Sequence, residues 1–142
     1  MYYCCNTMVT TKLSKLLLIN GLFTFIGGVI LIIIPNTIFG WVGIQLSGNI
    51  YVISYLLGVT SISFSVLSLY ATLLKDRDSL KAISLTFLIF HLASAIVGIN
   101  GLLHGLHAVI WINIVIHLTF SLLFLYLGFV QLAKNEGVEN SI

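Results

Sequence analysis

Charge is what this sequence has least of. Asp, Glu, Lys and Arg together make up 7% of its 142 residues, against roughly 25% in an ordinary soluble domain. Between Lys15 and Lys75 lie 59 residues without a formal charge, and between Lys81 and Lys134 lie another 52. So few charges cannot clothe a soluble surface. Each uncharged block is too long for one membrane crossing of ~20 residues and suits two crossings joined by a short loop. The expected fold class is therefore all-α, an integral membrane four-helix bundle in one domain. A β-barrel is excluded, because the apolar runs are continuous and do not alternate.

Other absences narrow the chemistry. The uncharged blocks hold no carboxylate, which removes paired acid/base catalysis, carboxylate-driven proton pumping and carboxylate-rich metal sites. No G-x-S-x-G elbow, P-loop or dinucleotide-binding glycine fingerprint occurs. The six basic residues are too sparse for a nucleic-acid surface. The two cysteines, Cys4 and Cys5, are adjacent, so no disulfide framework is expected. They read as idle thiols on a short tail, with lipid modification as the alternative. Met8 is a plausible second start that would remove both. The run from Leu16 to Ile34 exceeds the ~7–15 apolar residues of a signal-peptide core and ends in Ile-Ile-Ile-Pro, so it is expected to stay as a span.

Four spans follow, at about residues 13–34, 51–74, 82–103 and 108–132, with tails at 1–12 and 133–142. Pro35 stops the first. The uncharged stretch "PNTIFGWVGIQLSGN" (35–49) suggests a short segment lying in the interface, where Trp41 is favoured. "KDRDSLK" (75–81) reads as a polar hairpin loop. Four crossings put both tails and that loop on one side, which collects Lys12, Lys15, Lys75, Arg77, Lys81 and Lys134. Basic residues are retained inside, so both termini should be cytoplasmic, in a multi-pass protein of the cell membrane. The short loops favour a prokaryotic plasma membrane.

Packing is legible too. The second span carries Ser54, Gly58, Ser61, Ser65, Ser68 and Thr72 at alternating spacings of four and three. Such a seam of small residues lets a neighbouring backbone approach closely, which matters in lipid, where the hydrophobic effect does not draw helices together. A second reading takes the hydroxyls as a solute path. The first span offers Gly21 and Gly28, with Asn20, Thr24 and Gly27 on a neighbouring stripe. The third offers Ser84, His91, Ser94, Gly98 and Gly101, and the fourth Asn113, His117 and Ser121.

All four histidines fall between residues 91 and 117. His104 and His107 lie in or beside the turn between the last two spans and suit interface anchoring. His91 and His117 are equidistant from that turn, so an antiparallel hairpin brings them to one depth, ~20 Å in, near the middle of a ~30 Å core. An ionisable group there is costly unless paired. The candidate intramembrane polar site is His91, His117, Asn113 and Ser94. Three uses stay open. The rings can pin the hairpin by bonding each other, Asn113 or a serine. They can relay protons or contact a quinone. They can ligate haem, although neighbouring helices ~8–10 Å apart leave no room for a porphyrin between them. Zinc is a poor fit for want of ligands. Ser121 beside His117 is a weak nucleophile–base pair, since no third group orients it.

The stretches "LLLINGLFTFIGGVILIIIPNTIFGWVGI", "SYLLGVTSISFSVLSLY", "FHLAS" and "WINIVIHLTF" give the chain a likeness. It resembles the small four-span bacterial membrane proteins of uncharacterised function grouped loosely around the DoxX-like family, over about residues 13 to 132. Some members of that group are associated with quinone-linked redox complexes. The resemblance implies fold and location; no catalytic pattern carries over to numbered positions. The functions expected are an accessory or structural membrane component, a redox subunit using His91 and His117, or a small-solute or proton transporter. The bilayer is the expected surrounding, with a membrane-protein partner or a second copy as possible company.

A reporter fused after Ile142 is expected to be active only in the cytoplasm, and a protease-cleavable tag between Gln45 and Ser47 to be cut from outside intact cells.

Overall fold

The computed structural model describes residues 2–48 and 50–132, with side chains from residue 11 onward. The described residues form helices joined by short turns and contain no strand: α1 (Tyr2–Ile33), α2 (Pro35–Trp41), α3 (Ile50–Ala71), α4 (Arg77–Leu103) and α5 (Ile110–Leu125), which runs on as a π-helical turn at Tyr126–Gln131. Four stretches are long and apolar enough to cross a membrane: Thr11–Ile33, Ile50–Ala71, Arg77–Leu103 and Ile110–Gln131. The protein is a multi-pass helical membrane bundle.

Local chemistry sets the helix ends. Proline disfavours helical geometry in the residue before it; Ile34 accordingly leaves the helix at φ −131°, ψ 54°, and Pro35 starts α2 at its first position. Asp76 caps α4, accepting 2.9 Å and 2.6 Å hydrogen bonds from the Ser79 amide and hydroxyl. Most of the expected 75–81 loop is thus the first turn of α4, a boundary that charge content conceals. α1 likewise extends back to Tyr2, because the polar residues before Leu13 include no Gly or Pro to stop it. α4 ends in a turn where Gly105 adopts φ +92°, the Leu106 amide reaches back to Gly101 and that of Gly105 to Leu102. Only glycine takes that conformation cheaply. The expected tail at 133–142 lies outside the described residues.

The helices pack as two antiparallel hairpins, α1 with α3 and α4 with α5. In the first, the Ser14 hydroxyl donates to the Thr72 carbonyl, Ser68 to Leu17 and Ser54 to Leu31. Between them the backbones almost touch: a Cβ on Gly28 would lie 2.8 Å from the Gly58 carbonyl oxygen, and one on Gly58 equally close to that of Gly28. Paired residue numbers sum to 85 or 86 throughout, so the register never slips. In the second hairpin Phe87 stacks on Phe124 at 5.2 Å. Gly98 admits Ile114, and Gly128 lies directly against Ser84.

The inside of this bundle is unusual for a folded chain. Asn20, Thr24, Ser54, Ser65, Ser68, Ser84, His91 and Ser121 are buried, while Ile33, Val97 and Leu103 are at least 70% exposed. Only a hydrocarbon surrounding makes that arrangement stable. An apolar core does exist, but it occupies one end, the one bearing Lys15, Lys75 and Arg77. There Leu13, Leu16, Leu17, Ala71, Leu80, Phe87, Phe124 and Leu132 meet.

Adjacent glycines should respond oppositely to substitution. Gly28→Ala is expected to cost about 1–3 kcal/mol by forcing the α1 and α3 backbones apart. Gly27→Ala, where a Cβ meets nothing within 4 Å, should be neutral or gain up to ~1 kcal/mol; thermal unfolding in detergent distinguishes them. The Ser79 hydroxyl and amide hold the Asp76 carboxyl below its ordinary value. A carboxylate depressed in the fold supports it at neutral pH and ceases to as pH falls, so Ser79 amide protection should drop below about pH 4. In Asp76→Ala that pH dependence should vanish.

Candidate functional site

A carbonyl oxygen can only accept hydrogen bonds, and that one-way property orders everything at the centre of the bundle. The Leu17 carbonyl on α1 accepts from the Ser68 hydroxyl of α3 at 2.7 Å. With its proton so placed, Ser68 accepts from the Asn20 amide nitrogen at 3.1 Å. The other end of that amide, Oδ1, is an acceptor and lies 2.9 Å from Nε2 of His91; Nε2 therefore carries the proton. A neutral His91 ring has a bare Nδ1, which sits 2.8 Å from Nδ1 of His117. The bond requires His117 to donate from Nδ1, which leaves its Nε2 as an open acceptor. One polar chain thus runs α5–α4–α1–α3 and touches every span.

Its position follows from the helices. His91 lies at the middle of the 27-residue α4, and the antiparallel turn at Gly105 returns α5 so that His117 comes level with it. Aromatic rings hold the imidazoles in place. His91 stacks on Phe120 at 5.1 Å and Phe124 at 5.9 Å, while Phe90 meets both histidines edge-on. His91 is fully buried and His117 half-buried.

Beside this chain, towards the end away from Lys15, lies a cavity of about 540 Å³ whose walls come from all four spans. Three of the expected site residues other than His91 reach it in different ways. His117 lines it with its Nδ1 already committed to His91. Ser94 lines it too, but its hydroxyl folds back onto the Phe90 carbonyl at 2.8 Å. Asn113 lines it from an exposed position and makes no bond to the histidines. Along the expected seam Ser54, Gly58, Ser65 and Ser68 are buried against α1, whereas Ser61 turns to the cavity. The amide that pairs with His91 is Asn20, not Asn113. Sequence spacing placed Asn20 on a polar stripe of α1, but which stripe faces α4 across the bundle depends on how two hairpins meet, and no local periodicity reports that.

The site's donors do not suit metal or haem. Among the described residues no three His, Cys, Asp or Glu side chains converge. An iron with its porphyrin plane cannot pass between nitrogens 2.8 Å apart that already share a proton. Ser121 is buried on the same helix as His117, and no hydrogen bond joins them, so a nucleophile–base pair is not assembled either.

No family model, curated protein or solved structure matches this chain.

The proton placement is directly measurable. Nitrogen-15 NMR of the histidine-labelled protein is expected to show His91 protonated at Nε2 and His117 at Nδ1, with Nε2 of His117 in the shift range of a bare imidazole nitrogen. Asn20→Leu should release the His91 tautomer and broaden both signals.

Proposed function

We propose that the protein is a non-enzymatic accessory or structural component of a prokaryotic cell membrane, crossing it four times with both termini in the cytoplasm. The orientation rests on the six basic residues, which four crossings gather on one side with none opposite. Its company would be a second membrane protein or another copy of the chain. The likeness to DoxX-like proteins belongs to the same reading, as a statement about architecture and location.

The observation that carries the role is the continuous hydrogen-bond chain from His117 to the Leu17 carbonyl. Polar groups in hydrocarbon seek partners on other helices, and these use theirs to pin four spans together. The alternatives fare less well on the same geometry. A redox role through a bis-histidine haem meets the 2.8 Å contact just described. A proton path would run from His117 to His91 and stop at Asn20, whose amide oxygen accepts a hydrogen bond but is too weak a base to take up the proton, and whose NH2 is too weak an acid to pass one on. Beyond Asn20 the apolar core around Leu17, Phe87 and Phe124 offers no titratable group.

His91→Phe keeps the ring and its stacking and removes both interhelical bonds. At ~0.6–1.7 kcal/mol for each intramembrane bond, the expected loss is about 1–3 kcal/mol of stability in thermal or denaturant unfolding. Protein purified from haem-replete cells is expected to be colourless before and after the substitution. A Soret band that disappears in His91→Phe would overturn the structural role in favour of a redox one. An unchanged stability would also overturn the structural role.

A further inference from the structure

Pinning the helices does not require the cavity that adjoins the histidines, nor an imidazole nitrogen left open beside it. The cavity is bounded in a specific way. At one end the aromatic floor of Phe90 and the two histidines separates it from the apolar core. At the other, past the lining residues Leu31, Gly98 and Ile110, the His107 amide donates to the Val42 carbonyl at 3.0 Å, and the His107 ring packs on Gly43 so closely that a Cβ there would lie 2.8 Å from it. This contact straps the connector after α2 to the turn before α5, joining the two hairpins at their far end.

Laterally the closure fails. α3 and α4 meet mainly where Phe64 touches Phe87 and Phe90, close to the floor. Level with that contact and beyond it, the exposed cavity residues Leu57 and Thr60 on α3 and Ile89, Ala93 and Val97 on α4 frame an opening between the helices. In a membrane that opening faces hydrocarbon. What enters by this route arrives dissolved in lipid.

The lining selects further. None of its side chains is Asp, Glu, Lys or Arg, so a charged head would be unpaired and costly. His117 presents an acceptor at Nε2, which has no protein partner among the described residues, and an acceptor takes a donor. Thr60, Ser61 and Asn113 supply hydroxyl and amide groups for a second polar function. A volume of about 540 Å³ falls in the usual range of small-molecule sites.

We infer that this cavity is a binding site for a neutral, lipid-soluble hydroxyl compound, of the phenol, quinol or long-chain alcohol class, whose O–H donates to Nε2 of His117. The ligand then extends the polar chain by one link, since an imidazole that donates from Nδ1, as His117 does to His91, becomes a stronger acceptor at Nε2. This reading rests on the fold and on the proton order of the chain, not on the accessory role proposed above.

The test uses the full-length protein in lipid nanodiscs, titrated calorimetrically with 4-dodecylphenol, 1-dodecanol and the methyl ether of the phenol. Saturable binding of the phenol or the alcohol at one per chain is expected, and their order identifies the class. The ether, which lacks the donor, should bind about tenfold more weakly, and the His117 Nε2 nitrogen-15 signal should move only with the hydroxyl ligands. His117→Phe should lower the affinity by a similar factor. Ala93→Trp, which narrows the opening without touching the polar chain, should do the same, while Ser63→Ala, on the exposed face of α3, should not. Equal binding of ether and phenol would overturn the inference, as would wild-type affinity in both His117→Phe and Ala93→Trp. Absence of any saturable binding would also overturn it, and would leave the stability effect of His91→Phe untouched as evidence for the structural role.

Discussion

A polar side chain in hydrocarbon has no solvent to fall back on, and this bundle is organised around that constraint. Leucine and isoleucine are as content against acyl chains as against each other, so they supply no reason for helices to meet. The reason comes from a carbonyl at Leu17, a hydroxyl at Ser68, an amide at Asn20 and two imidazoles, each needing what the next offers. Because the sequence of donors and acceptors begins at an atom that cannot donate, the whole chain has one polarity. A reversal anywhere would leave two donors or two acceptors face to face in a medium that forgives neither.

The second ingredient is proximity. Hydroxyls on α3 reach carbonyls on α1 because Gly28 and Gly58 let the two backbones come together. α4 and α5 use the same device at Gly98 and Gly128. Each hairpin is thereby tight along its length. Between hairpins the contacts differ by level: leucines and phenylalanines near the charged end, the polar chain midway, and open space beyond it. Two side-chain oxygens, of Ser65 and Ser84, are buried without partners within the tight hairpins. There small size serves backbone approach more than hydrogen bonding.

The sequence was informative where a single helix or a single hairpin decides the outcome. Uncharged blocks located the spans, the Ser54–Ser68 spacing picked out a close-packing seam without saying which helix it faces or that Ser61 turns from it to the cavity, and equal distances from one turn matched His91 with His117 in depth. It was silent where two hairpins must meet. Asn20 and Asn113 are both amides on polar stripes at suitable depth, yet Asn20 bonds His91 and Asn113 does not. The difference is one of rotation about helix axes where the hairpins meet, a junction at which Phe23 faces Phe120 and Phe64 faces Phe87 and Phe90. Helix ends were misjudged for a different reason. Asp76 and Arg77 look like loop by charge, but an aspartate three residues before a serine amide is a cap first. The π-helical turn at Tyr126–Gln131 has no local signature beyond Gly128.

The uneven filling of the bundle has a mechanical side. A body that is solid at one level and hollow at another is not equally deformable along its axis, since only the hollow level can widen or narrow without tearing apart a packed core. Work done on that level is lateral pressure multiplied by area change, so acyl-chain crowding there bears on the gap between α3 and α4 while the same crowding at the packed level meets a rigid wedge. A change of shape forced on the bundle from outside would therefore be taken up at the hollow level, between α3 and α4, and not in the packed core.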